Sequence, residues 1–137
     1  MSDREFIDSS VLVHSDDHDA PRKQSKALDL IERSRRAGTG VISTQVLQEY
    51  FVTATRKLGV PAVVAREKII IFSHFEVARV SVDDLLAAID LHRLHELSFW
   101  DGLILRSALS SGCNVLYTED MQDGRRFEAL RIVNPFR

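Results

Sequence analysis

Short apolar runs alternate along the chain with longer segments whose apolar positions recur every three to four residues. Phe6-Ile7 is an apolar run ending at Asp8 and predicts a first strand. Ser9 to Val13 predicts a helix or turn, and the polar stretch Asp16 to Pro21 a loop. Ala27, Leu30, Ile31 and Ser34 repeat at helical spacing within 21–37, with Gly38 as a C-terminal stop. Gly40 to Ser43 predicts a second strand. Thr44 to Leu58 is helical by its period, with Val46, Leu47, Tyr50, Phe51, Ala54 and Leu58 on one face and Gly59 ending it. Pro61 suits the first position of a further helix reaching about Phe72, although Ile69 to Phe72 reads equally well as a strand. Phe75 to Val80 predicts a strand, and Ser81 or Asp83 opens a helix carrying Val82, Leu85, Leu86 and Ile89 on one side. Ser98 opens the next helix, which Gly112 ends. Val115 to Tyr117 and Arg131 to Val133 complete the set as strands.

Strands that alternate with helices predict an α/β fold, a mostly parallel central sheet flanked by helices, over one domain spanning 1–137. In such sheets ligands bind beyond the carboxyl ends of the strands, so the residues just after each strand are where chemistry is expected.

Composition narrows the classes without choosing among them. A chain of 137 residues with 45% hydrophobic and 28% charged residues is long enough to bury a core without covalent staples. The single cysteine, Cys113, excludes an internal disulfide and a cysteine-rich zinc site. No apolar run approaches a membrane span, and Met1 to Glu5 is polar where a secretory leader would be apolar, so a cytoplasmic protein is expected. The net charge of −2 argues against a protein that coats nucleic acid non-specifically. It leaves a nuclease open, because metal-holding carboxylates lower the charge while basic groups such as Arg22, Lys23, Lys26, Arg33, Arg35 and Arg36 still gather locally.

Acids stand where the sheet rule points. The first strand runs into Asp8, and the strand at Val115 to Tyr117 runs through Thr118 into Glu119 and Asp120, with Asp123 three residues later. If the two strands are parallel neighbours, Asp8 and Asp120 share a rim, and converging carboxylates imply a cation. Each also has a local reading, Asp8 as a helix cap and Asp120 as a turn residue. Asp101 falls within the apolar arc of Trp100, Ile104 and Leu105, where a carboxylate must be paired. Ser98-Phe99-Trp100-Asp101 also has the form of a capping box. Glu49 lies beside Gln45 and Thr53, away from the apolar stripe of its helix, and reads from periodicity as a surface residue.

Four segments in this order resemble one family, the PIN-domain ribonucleases and in particular the VapC-type toxins of toxin–antitoxin pairs. They are Phe6-Ile7-Asp8-Ser9-Ser10-Val11-Leu12, Ser43-Thr44-Gln45-Val46-Leu47-Gln48-Glu49-Tyr50, Ser98-Phe99-Trp100-Asp101-Gly102-Leu103-Ile104, and Leu116-Tyr117-Thr118-Glu119-Asp120-Met121-Gln122-Asp123-Gly124. The resemblance implies a three-layer PIN-like sandwich and an acidic quartet of Asp8, Glu49, Asp101 and Asp120, with Asp8, Asp101, Asp120 and Asp123 as metal ligands. It moves Glu49 from the surface into a cleft. Thr118 resembles the family's hydroxyl beside the last acids. Ser10 stands where many members carry Asn, a departure that touches fine geometry. The implied activity is a Mg²⁺- or Mn²⁺-dependent endoribonuclease, with an RNA substrate, an antitoxin partner and a homodimeric state.

The residue types suit that chemistry. Hard oxygen ligands suit Mg²⁺, and a carboxylate-held ion can activate water against a phosphodiester. His92 and His95, three residues apart, lack a third ligand and read as surface residues; His14 is the imidazole nearest the acids in sequence. Two other readings keep part of the pattern: a phospho-receiver-like signalling domain, which would need a Lys after a late strand where Ile132-Val133-Asn134-Pro135 has none, and a PIN scaffold that only binds RNA or protein.

Overall fold

The computed structural model describes residues 3–137. In chain order the elements are β1 (Glu5–Ile7), α1 (Ser9–His14), α2 (Pro21–Ala37), β2 (Gly40–Ser43), α3 (Thr44–Arg56), α4 (Ala62–Phe72), β3 (Glu76–Ala78), α5 (Val82–His95), α6 (Phe99–Ser110), β4 (Val115–Tyr117), β5 (Arg126–Phe127) and β6 (Leu130–Val133). The strands form one six-stranded sheet in the order β3-β2-β1-β4-β6-β5. Every pairing is parallel except β5 with β6. Helices flank the sheet, as the alternation of periods predicts.

Burial explains the apolar runs. Phe6, Ile7, Val41, Ile42, Leu116 and Ile132 are fully buried, so side chains on both faces of the central strands are covered. Removing any one of them for Ala would cost about 2–5 kcal/mol through lost transfer energy and the cavity left behind. The run Ile69 to Phe72 is helical, the end of α4, with only Phe72 of the four buried. Pro61 is the cap of α4 and not its first residue. Strand β5 is a short hairpin partner turned by Glu128, whose φ is 55°; two residues between polar neighbours carry no periodicity that would predict them.

The chain leaves β1 outward to β2 and β3, then returns across α5 and α6 to β4 on the other side of β1. The order therefore reverses between β1 and β4, and a crevice opens at their carboxyl ends. Helix α6 is pinned there by Gly102: a Cβ at that position would lie 2.8 Å from the Ala88 carbonyl oxygen of α5. Among the described residues no helix is long and apolar enough to cross a membrane.

Candidate active site

A cleft of about 530 Å³ lies at this crevice, lined by Asp8, Glu49, Asp101 and Asp120 together with Ser9, Gln45, Trp100 and Val52. Four different elements deliver the acids. Asp8 follows β1 directly and caps α1, accepting the Ser9 N–H at 2.7 Å on Oδ1. The cap uses Oδ1 and leaves Oδ2 at the sheet rim, where Thr118 donates to it. Asp120 follows β4 through Thr118. Asp101 sits in the first turn of α6, where the helix dipole favours an anion. Its N–H bonds Ser98 Oγ at 3.0 Å, one half of a capping box, while its carboxylate faces the cleft. Glu49 is half-buried on the cleft side of α3; its distance from that helix's own apolar stripe reflects a second wall and not solvent.

Three polar side chains tie these acids together. Thr118 Oγ1 donates to Asp8 Oδ2 at 2.7 Å and accepts from the Asp120 N–H at 3.1 Å. Ser9 Oγ donates to Glu49 Oε1 at 3.1 Å while its N–H holds Asp8. Gln45 Nε2 donates to Glu49 Oε2 at 3.2 Å and to the Trp100 carbonyl at 3.1 Å, one residue before Asp101. Two acceptors on one nitrogen fix the orientation of that amide, and its Oε1 is left buried without a partner. Thr118 is one of the residues the sequence singles out. Ser9 and Gln45 are not, although Gln45 stands one helical turn before Glu49, the spacing at which side chains on a helix meet.

The other expected residues lie at the edge. Ser10 Oγ accepts the Glu119 N–H at 3.2 Å and so joins α1 to the loop after β4. Asp123 is not in the cleft lining; its Oδ1 accepts the Asn134 N–H at 2.8 Å. Glu119 turns away from the cleft, paired with His14 at 2.8 Å and Lys23 at 2.5 Å. His92 bonds the Leu97 carbonyl, and the His95 ring meets Phe127 edge-on, so the two imidazoles serve local packing.

The electrostatics of the four acids run one way. Burial pushes Asp8 up to about 7, despite the Thr118 and Ser9 hydrogen bonds and helped by the charges of Asp120 and Glu49. Burial likewise raises Glu49, Asp101 and Asp120, with neighbouring carboxylates adding to each. Among the described residues no Lys, Arg or His forms an ion pair with any of the four. Like charges gathered in a partly dry cleft, offset by His14 and Lys57 at Asp120 alone, are a site that a cation would relieve. The donors are hard oxygens, which suits Mg²⁺ or Mn²⁺. No three described His, Cys, Asp or Glu side chains close around a single point as they stand.

The PIN domain model matches residues 6–129. The chain belongs to the PIN-domain family. The match takes in the Asp8, Glu49, Asp101 and Asp120 positions and stops before β6, which this PIN domain nevertheless pairs with β4. Among solved structures the fold is similar to VapC20 of Mycobacterium tuberculosis, described as a Sarcin-Ricin loop cleaving toxin, at TM-score 0.68 and 22% identity over 85% of this chain and 89% of that one. It is similar at TM-score 0.68 to a toxin–antitoxin complex from Klebsiella pneumoniae, 19% identical over 96% of this chain and 97% of the other. VapBC2 from Rickettsia felis, bound to a DNA fragment from its promoter, matches at TM-score 0.68 and 18% identity over 93% of this chain and 96% of that chain. No curated protein matches in sequence. At such identities the likeness establishes a shared fold across nearly the whole domain.

Proposed function

We propose that this PIN domain is a Mg²⁺- or Mn²⁺-dependent endoribonuclease and the toxin of a toxin–antitoxin pair. The observation that carries the nuclease reading is the set of four carboxylates, each raised by burial, sharing one cleft with no ion pair to any of them among the described residues. The toxin reading draws on the solved neighbours, a Sarcin-Ricin loop cleaving toxin, a toxin–antitoxin complex and VapBC2. An antitoxin and a second copy of the chain are the protein partners this reading expects.

Asp8, Asp101 and Asp120 are the residues that would hold the metal, and Glu49 completes the acidic wall. When bound, the ion supplies a Lewis acid for the phosphate oxygens and lowers the pKa of a coordinated water. The chain's own residues do the rest. Thr118 and Ser9 hold Asp8 by both oxygens, so that its orientation is set before substrate arrives. Ser9 and Gln45 hold one oxygen each of Glu49 and present its carboxylate toward Asp101 and Asp120. Trp100, 60% exposed at the mouth, offers an aromatic face for a base flanking the scissile phosphate.

Purified protein should cleave single-stranded RNA with Mg²⁺ or Mn²⁺ and lose that activity to excess chelator. Asp8→Asn, which removes charge with little change of shape, should be inactive under the same conditions. Undiminished cleavage in EDTA would overturn the metal requirement. Near-native cleavage by a folded Asp8→Asn protein would overturn the assignment of Asp8.

A further inference from the structure

A second cavity of about 440 Å³ lies between α2 and the C-terminal segment after β6. Its walls carry Lys26, Arg33 and Arg137, against one carboxylate, Asp29, in a protein whose net charge is −2. Neither Lys26 nor Arg137 forms an ion pair among the described residues. Arg33 lies 3.4 Å from Glu5 and donates to the Tyr117 hydroxyl at 3.3 Å, its guanidinium 5.9 Å from the centre of that ring. Leu30 and Pro135 add an apolar floor.

Lys23 lies between this cavity and the loop that carries Asp120. Lys23 stands one turn before Lys26 on α2 and grips Glu119, the residue beside Asp120. The Lys23 ammonium also sits 5.8 Å above the Phe136 ring, whose edge meets His14. Lys23, Lys26 and Arg33 fall on one flank of α2 by the helical period. At 1.5 Å per residue they span about 15 Å along the helix, room for more than one backbone phosphate. Cations along a shallow groove with an aromatic and a guanidinium plane are the ingredients of sequence-tolerant single-strand binding.

We propose that the groove between α2 and residues 135–137 is a second RNA-binding subsite, which takes the backbone phosphates of the single strand running from the acidic cleft past Lys23 to Lys26, Arg33 and Arg137. The inference rests on the ribonuclease reading above and extends it to where the substrate strand travels. The groove holds backbone by charge and bases by stacking, so it adds affinity for long strands with little preference for sequence.

The test compares wild type, the double variant Lys26→Glu/Arg137→Glu, and Arg66→Glu, a charge reversal on α4. Each protein is given a long single-stranded RNA and a short oligonucleotide confined to the cleft, and cleavage is followed at several salt concentrations. Anisotropy of the fluorescein-labelled long RNA measures binding without turnover. The double variant should bind the long RNA about ten-fold more weakly, roughly three-fold per lost phosphate contact. Its KM for long RNA should rise by the same factor, and its log–log salt slope should fall by about 1.4, ~0.7 for each contact removed. Cleavage of the short oligonucleotide should be unchanged, and Arg66→Glu should behave as wild type on both. Three results would overturn the subsite: unaltered binding of long RNA, an equal loss in Arg66→Glu, or an equal loss on the short substrate. If misfolding clouds the charge reversal, Lys26→Gln/Arg137→Gln should show the same pattern at smaller size. Wild type that binds long RNA but cleaves neither substrate would overturn the ribonuclease reading alone, and the binding comparison would still judge the groove.

Discussion

The hydroxyl of Thr118 donates to Asp8 Oδ2 over 2.7 Å and so joins the residue after β4 to the residue after β1. Both groups are buried, with Asp8 4% exposed and Thr118 fully covered. A hydrogen bond to a charged group in such a place contributes about 1.5–3 kcal/mol. The same hydroxyl accepts the Asp120 N–H at 3.1 Å, so one side chain positions two acids. Thr118→Val should lower stability by about 1–3 kcal/mol in denaturant unfolding at neutral pH. It should also lower cleavage more than binding of RNA. Thr118→Ser, which keeps the hydroxyl, should recover most of both. A Val variant with full activity would show that the bond is incidental to the site.

The raised pKa of Asp8 has a definite sign for stability. Its carboxyl titrates near 3.8 when unperturbed, and burial pushes it up to about 7 in the fold. Between these values the folded state binds the extra proton, so the metal-free protein loses stability as pH rises through this window. The penalty is complete above about pH 7 and gone below about pH 4; at ~1.4 kcal/mol per unit it amounts to a few kcal/mol. Asp8→Asn should therefore raise the Tm of chelator-treated protein at about pH 8 and leave it nearly unchanged at about pH 4. Asp101→Asn should act in the same direction, since burial and then Asp120 raise its carboxyl. Equal Tm values for wild type and Asp8→Asn at the higher pH would remove Asp8 as the strained group.

The acids should separate by position. Glu49→Gln, Asp101→Asn and Asp120→Asn each remove one charge from the cleft wall and should abolish most cleavage while keeping the fold. Asp123 lies outside that lining and caps the Asn134 N–H, so Asp123→Asn should cost far less activity. The measurement is the initial rate on one RNA at saturating Mg²⁺, with circular dichroism to confirm folding. If Asp123→Asn were as damaging as Asp101→Asn, Asp123 would have to move to the metal when RNA binds.

Where the sequence reading holds, a local rule and a global one agree. Helix 21–37 and strand 40–43 have their predicted bounds because Pro21, Gly38 and the buried run Val41-Ile42 each act within a few residues. Asp8 and Asp120 follow from the sheet rule, which needs only that β1 and β4 be parallel neighbours. Glu49 shows the limit. The helical period places it off the apolar stripe, and only the packing of α3 across the crevice from α6 turns that flank into a cleft wall. Gln45 shows half of the same limit: its spacing from Glu49 is legible within α3, but its second partner is a backbone carbonyl of α6, 55 residues away, which no such spacing encodes.

That carbonyl makes Gln45 a positioning residue. Its amide spans from Glu49 to Trp100 and so sets the distance between α3 and the start of α6, where Asp101 sits. Gln45→Leu keeps the volume but removes both bonds. Residues that orient metal-binding carboxylates typically cost 10- to 100-fold in affinity or activity when lost, and about that loss is expected here. The Mg²⁺ concentration for half-maximal cleavage should rise with it, a shift that a merely weakened fold would not produce. Unchanged Mg²⁺ dependence would confine Gln45 to packing.

The two apolar stripes of the sequence separate in the structure, and with them the prospects for a partner. Tyr50 and Ala54 of α3 are fully buried, while Phe51 on the same stripe stays 37% exposed. On α5, Val82 is 70% exposed, Leu86 56% and Ile89 41%, with Leu94 at 75% near its end. The Ser81 capping box holds that helix in place, and Gly102 brings α6 against its other side, so the exposure is that of an ordered helix. A row of large apolar side chains on a rigid helix is more than scattered surface residues and marks a contact face. The proposed second copy is expected against the α5 face, and light scattering at micromolar concentration should report a dimer. Leu86→Glu places a charge in the middle of that row and should give a folded 15.5 kDa monomer with its acidic cleft intact. A wild type that scatters as a monomer at every concentration would remove the dimer and leave the chemistry of the four acids as it stands.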